Sequence, residues 1–228
     1  MSGPGGGPAA LAFEPAIEPA GEPDQAATKT LVFTTAERLF ALHGLKTVSV
    51  RDITAAAGVN LAAVNYHFRS KDALLLAIFL KRASELNRTR ARLLHEAQDR
   101  HGGRPPVSEI IEALIGPPVR WLDPQGDRLI AIQFLIRARS EGTEEIKAVL
   151  RSDVSHLRRF TEALQLACPH LSAEDICWRL HFVLGMVHNC RFPELERLQT
   201  LSDGAARIDD FEALIHRMTA FAEAGFLA

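Results

Sequence analysis

Only three cysteines occur in the 228 residues, Cys168, Cys177 and Cys190. An odd count in no framework spacing excludes a disulfide scaffold and predicts a reducing compartment. Long hydrophobic runs are missing too. The longest, Ala73 to Leu80, falls well short of the ~18 residues a membrane-spanning helix needs. The opening Met-Ser-Gly-Pro-Gly-Gly-Gly has no basic stretch leading into an apolar one, so no signal peptide is expected. The protein is therefore read as cytoplasmic, with no membrane partner. No alternation of β-branched residues is sustained and no Asn-Gly turn occurs, so no sheet is expected. HExxH, a phosphate-cradling glycine loop and a nucleophile–base pairing are absent as well. An enzyme is thus the losing class, and no cofactor is implied.

What is present is an ordinary core-forming composition, 47% hydrophobic and 24% charged. The net charge of −2 conceals an uneven distribution. Residues 1–27 carry only acids (Glu14, Glu18, Glu22 and Asp24), along with five prolines and five glycines, and read as a disordered tail. Residues 28–71 carry six cations against two anions, and residues 81–104 seven against three. A basic module of this kind is suited to a polyanion despite the near-neutral total.

Beyond the tail the periodicity is helical, and the fold class is all-α with about nine helices. Val32, Ala36, Leu39 and Phe40 mark one face of a first helix that stops at Gly44. Ser49 caps a second, with Ile53 and Ala56 inward, and Gly58 ends it. Asn60 caps a third, Leu61 to His67, with Val64 and Phe68 inward. Ser70 caps a long fourth, which runs to about His101 with Leu75, Ile78, Phe79, Leu86 and Leu93 on its apolar face. Further helices are expected at about 107–122, 127–140, 143–167, 172–191 and 209–224. The first of these should be interrupted at Gly116-Pro117-Pro118.

Three short helices with the tight turn Ala57-Gly58-Val59-Asn60 between the second and third have the plan of a helix-turn-helix. The third would present Leu61, Ala62, Ala63, Asn65, Tyr66 and His67 to a major groove. Each has a plainer reading. Asn65 either pairs bidentately with adenine or simply faces solvent; Ala62 and Ala63 either touch thymine methyls or merely favour helix. Tyr66 and His67 either contact phosphate or belong partly to the core. Lys71 opposes the dipole of the fourth helix, yet beside its exposed amides it completes a phosphate site.

The stretch from Ser49 through Tyr66-His67-Phe68-Arg69-Ser70-Lys71 to Leu74 resembles the DNA-binding signature of the TetR family of transcriptional regulators, over about residues 28–75. Thr54 and Asn65 depart from the family pattern, which commonly has alanine and an aromatic there. The recognition helix is also similar to that of a fatty-acid-responsive branch. The resemblance implies a homodimeric repressor that binds a double-stranded DNA operator and is released by a small apolar or amphipathic inducer in a C-terminal domain, residues 76–228. It adds Thr47, Ser49, Arg51 and Asn60 to the DNA-facing set. The alternative is a DNA-bound interaction protein of the same fold with no inducer.

In the C-terminal region, Arg120, Arg137 and Arg139 are candidate anchors for an acidic ligand, and Trp121, Phe134 and Trp178 candidate pocket walls. Cys177, His181 and His188 share a helical face that also holds Leu184. That face reads as packing rather than as a metal site. Close approach of another helix is one reason for Gly185, a tolerated glycine the other. The helices at 172–191 and 209–224, with Trp178, Phe182, Leu184 and Val187 in one and Phe211, Leu214, Ile215, Met218 and Phe221 in the other, are expected to form a four-helix dimer interface.

Overall fold

The computed structural model describes residues 25–228, and residues 1–24 of the expected tail lie outside them. The described chain is all helical, with eleven helices in place of the nine expected. The first, α1 (Gln25–His43), begins ahead of the expected domain start at residue 28. It is followed by α2 (Val50–Ala57), α3 (Leu61–Phe68) and α4 (Lys71–Arg100). Then come α5 (Val107–Arg120), α6 (Leu129–Glu141), α7 (Glu144–Ser152) and α8 (Ser155–Ala167). The chain ends with α9 (Ala173–His188), α10 (Phe192–Leu201) and α11 (Phe211–Leu227). No described helix is long and apolar enough to cross a membrane.

Three departures from the sequence expectation have local causes. The helix expected over 143–167 is two, α7 and α8. At their junction the Asp153 carboxylate takes the Ser155 hydroxyl at 2.7 Å, a local bond that competes with helix continuation. No helix is expected over 192–201, yet α10 forms there with Pro193 in its first turn, where a missing N–H costs nothing. α5 continues through Pro117 and Pro118. Pro118 cannot donate to the Leu114 carbonyl one turn back, and Arg90 Nε of α4 donates to it instead at 2.8 Å.

The core is continuous between the two halves of the chain. α5 lies at its centre with Ile110, Ile111, Leu114, Ile115 and Val119 fully enclosed by α4, α8, α9 and α11. α1 packs on α2, α3, α4 and α6, and Phe40 of α1 meets Phe134 of α6 with ring centroids 6.4 Å apart. Glu37 of α1 is buried and forms a two-pronged ion pair with Arg82 of α4, both N···O distances being 2.6 Å. In α2, Ile53 and Thr54 face inward and Ala56 is exposed. The Thr54 hydroxyl is satisfied by the Arg51 carbonyl at 2.9 Å.

Candidate DNA interface and ligand cavity

The recognition module is fixed by caps. The Ser49 and Asp52 side chains close a capping box on α2, and Asn60 Oδ1 takes the Ala63 amide at 2.9 Å to start α3. Gly58 between them adopts φ +64°, the left-handed conformation the turn needs. Ser49 is thus committed to its cap, while Asn60 keeps its amide donors. Phe68-Arg69-Ser70 then turns sharply. The Ser70 amide bonds the Phe68 carbonyl at 2.7 Å around Arg69 at φ +65°, a γ-turn that sets α3 against the start of α4.

This geometry puts Leu61, Ala62, Asn65 and Tyr66 on the exposed side of α3, with Ala63 and His67 half-buried and Val64 and Phe68 in the core. Tyr66 and His67 meet edge to face at 5.1 Å. Thr47 and Arg51 are exposed beside them. Lys71 occupies the first position of α4, its ammonium 5.7 Å from the Phe40 ring centre. Hydrogen bonds from the Ser49 backbone and side chain hold the Asp52 carboxyl below its usual range, and the charge of Lys71 adds to this. The candidate DNA-facing residues therefore form one surface spanning α2, α3 and the N-terminus of α4.

A cavity of about 810 Å³ opens in the C-terminal half among α4, α6, α7, α8 and α9. Its apolar wall includes Phe79, Leu86, Leu135, Ile136, Leu150 and Leu184. Arg90, Arg139, His156 and His188 also line it. Burial first, and the charge of Arg139 second, push the Arg90 guanidinium down to about 10. Burial, then the fields of Arg139 and Arg90, push His188 down to about 4. Burial and the field of Arg90 lower His156 as well, against the opposing charge of Asp153.

Of the six candidate pocket residues, Arg139 lines this cavity and the other five do not. Arg120 is paired with Glu212 at 2.6 Å and Glu112 at 2.9 Å. Trp121 carries Arg128 on its ring face, and Trp178 is exposed. Phe134 and Arg137 lie on the side of α6 that faces α1. Arg137 Nε donates to the Ala41 carbonyl at 2.8 Å and its Nη2 to Leu42 at 3.3 Å, while Glu141 Oε2 receives the Leu45 amide at 2.8 Å. These two side chains cap the end of α1, whose last carbonyls have no partner within the helix. The sequence offers Phe134 and Arg137 as pocket candidates but does not show which side of α6 turns to the cavity. Ile132, Leu135, Ile136 and Arg139 form that opposite side.

The face of α9 expected to pack is open. Cys177, Trp178, His181 and Phe182 are exposed, and among the described residues no other helix approaches Gly185 closely. Trp178 and Phe182 are 55% and 63% exposed, and Phe221 of α11 is 74% exposed. By contrast Phe211, Ile215 and Met218 are spent on the chain's own core, and Leu184 and Val187 line the cavity. Among the described residues, no group of three His, Cys, Asp or Glu side chains is placed to hold a metal.

No curated protein matches the chain. Solved structures share its fold over most of its length. A TetR family transcription regulator from Shewanella sp. PV-4, itself putative in function, superposes with a TM-score of 0.59 at 17% identity, over 87% of this chain and 95% of that one. The fatty acid degradation regulator FadR from Bacillus halodurans gives 0.54 at 17% identity, over 87% and 95%. The superantigen PfiT gives 0.61 at 20% identity, over 90% and 97%. Residues 32–78 match the bacterial regulatory proteins of the tetR family, and residues 112–225 match the tetracyclin repressor-like C-terminal domain. With the capped helix-turn-helix at one end and that C-terminal domain at the other, the chain belongs to the TetR family of transcriptional regulators.

Proposed function

We propose that this regulator is a ligand-responsive repressor, released from its operator when a small amphipathic molecule occupies the cavity bounded by α4 to α9. The observation that carries the reading is the double role of α6. Its Ile132, Leu135, Ile136 and Arg139 line the cavity, while Arg137 and Glu141 hold the end of α1 and the turn leading to α2. A ligand that displaces α6 therefore strains the joint on which the recognition module sits. It weakens DNA binding only to the extent that it favours the displaced geometry. Packed helices transmit such shifts as rigid bodies, because the core between them does not compress.

Two copies are proposed to associate through the open faces of α9 and α11, where Trp178, Phe182 and Phe221 form the exposed apolar surface. That pairing presents two α3 helices to successive major grooves of a near-palindromic site. The cavity supports an inducer over the alternative of a DNA-bound interaction protein, which has no use for one. The fold shared with FadR, a fatty acid degradation regulator, is compatible with an inducer bearing an acyl chain. The test is selection of bound fragments from genomic DNA, followed by titration of the operator complex with amphipathic small molecules. Release of the operator supports the reading. An operator complex indifferent to every molecule shown to enter the cavity contradicts it.

A further inference from the structure

Five lysine and arginine side chains line the cavity against one carboxylate, Asp153. None of the five forms an ion pair among the described residues, although arginines elsewhere, including Arg82, Arg120, Arg137 and Arg207, do. Asp153 is exposed, as are Lys81, Arg88, Arg139 and Arg159, and its carboxylate takes the Ser155 hydroxyl. Arg90 is buried. Its Nε and Nη1 are used by the Leu114 carbonyl and Asn87, and its Nη2 has no hydrogen-bond partner among the described residues. Arg139 has no hydrogen-bond or ion-pair partner among the described residues. Beside them, His156 Nδ1 is buried without a hydrogen bond. Arg90 is the buried cation of the five, and a buried guanidinium is ordinarily paired with a carboxylate, so Arg90 beside the unpaired Arg139 and His156 is half of an interaction.

We infer that the cavity takes an amphipathic anion, its apolar chain or ring lying along the α4, α6 and α7 walls and its carboxylate or phosphate head held by Arg90, Arg139, His156 and His188. The inference rests on the reading of this cavity as the ligand site and names the chemistry of what enters it. A planar guanidinium recognises either head in the same way, with paired N–H donors. An anion there also relieves the repulsion among the cations, which a neutral amphiphile of the same length cannot do. Arg139 is the informative residue, because Arg90 additionally supports α5.

The experiment is calorimetric titration of the full chain with four ten-carbon probes: decanoate, decyl phosphate, decanol and decylamine. At least one anion is expected to bind about 10- to 100-fold more tightly than decanol, the range for a hydrogen bond to a charged group, and decylamine more weakly than decanol. The tighter of the two anions identifies the head. Arg139→Gln should bring the anion close to decanol without changing decanol itself, and Arg139→Lys should retain part of the preference. Decanol and decylamine binding as tightly as the anions, each displacing the neutral dye Nile red, would overturn the anionic head while leaving the cavity as a ligand site. Failure of all four probes and of Nile red to bind would overturn both. The comparison of probes on the unaltered chain decides the matter even where a variant folds poorly.

Discussion

Arg90 Nε donates to the Leu114 carbonyl at 2.8 Å, taking the place of the amide that Pro118 lacks. A helix with two internal prolines is thereby kept continuous by a side chain from its neighbour. Arg90→Met should cost about 1–3 kcal/mol, the desolvation cost of a buried carbonyl left unpaired. Adding Pro118→Ala should restore part of that loss, since the new amide can reach the same carbonyl. Urea unfolding of the two single variants and the double variant measures the non-additivity. Strict additivity would mean that the carbonyl finds another donor.

Glu37 and Arg82 tie α1 to α4 through paired bonds of 2.6 Å, and Glu85 holds the same guanidinium at 2.8 Å. Arg82→Ala leaves the Glu37 carboxylate buried without its partner. The expected loss is about 3–5 kcal/mol, as for other buried pairs broken on one side. Chemical denaturation reads it, and Glu37→Gln combined with Arg82→Ala should lose less than the single arginine variant.

On the DNA surface, reading and holding are assigned to different residues. Asn65→Ala should relax sequence preference at one position in each half-site, by ~1–3 kcal/mol per lost bidentate contact. Lys71→Ala should weaken all sequences alike and reduce the salt dependence by about one unit of slope. Binding of a randomised operator pool at several salt concentrations distinguishes the two. The opposite pattern would exchange their roles.

Burial and the nearby arginines hold His188 at about 4 in the folded chain, below the ordinary 6.5. The unfolded chain therefore binds more protons between those values, and stability must fall as pH drops from about 6.5 toward 4. His156 is lowered by the same kind of surroundings and acts in the same direction. His188→Gln should flatten the acid limb of a plot of melting temperature against pH. An unchanged limb would place the titration elsewhere.

The recognition module was legible because its signals are local. Ser49, Asn60 and Ser70 each cap the helix that follows within three residues, and Gly58 supplies the positive φ of the turn. The γ-turn at Arg69 was missed, since nothing in an arginine announces a positive φ. The cavity was not legible, because its lining comes from helices distant in sequence whose rotations are set by packing. Arg137 illustrates this: a cation in an apolar helix suggests a ligand, but its partners are the carbonyls of Ala41 and Leu42. Arg139, one of the candidate anchors, does reach the cavity, whereas Arg90 carries no distinguishing sequence signal. The open face of α9 was legible only in part, for a related reason. Helical periodicity shows that Cys177, His181, Leu184 and His188 share a side but not whether the chain itself covers it.

The joint at α6 is the centre of the account, and one measurement addresses it most directly. Operator affinity is titrated by fluorescence polarisation with and without a saturating cavity ligand, for the unaltered chain and for the Arg137→Ala, Glu141→Ala double variant. The ligand should lower the operator affinity of the unaltered chain by about 5- to 150-fold, the usual range of coupling between two sites. In the double variant, ligand binding should persist while the effect on operator affinity largely disappears. Full release of the operator by ligand in the double variant would contradict transmission through Arg137 and Glu141.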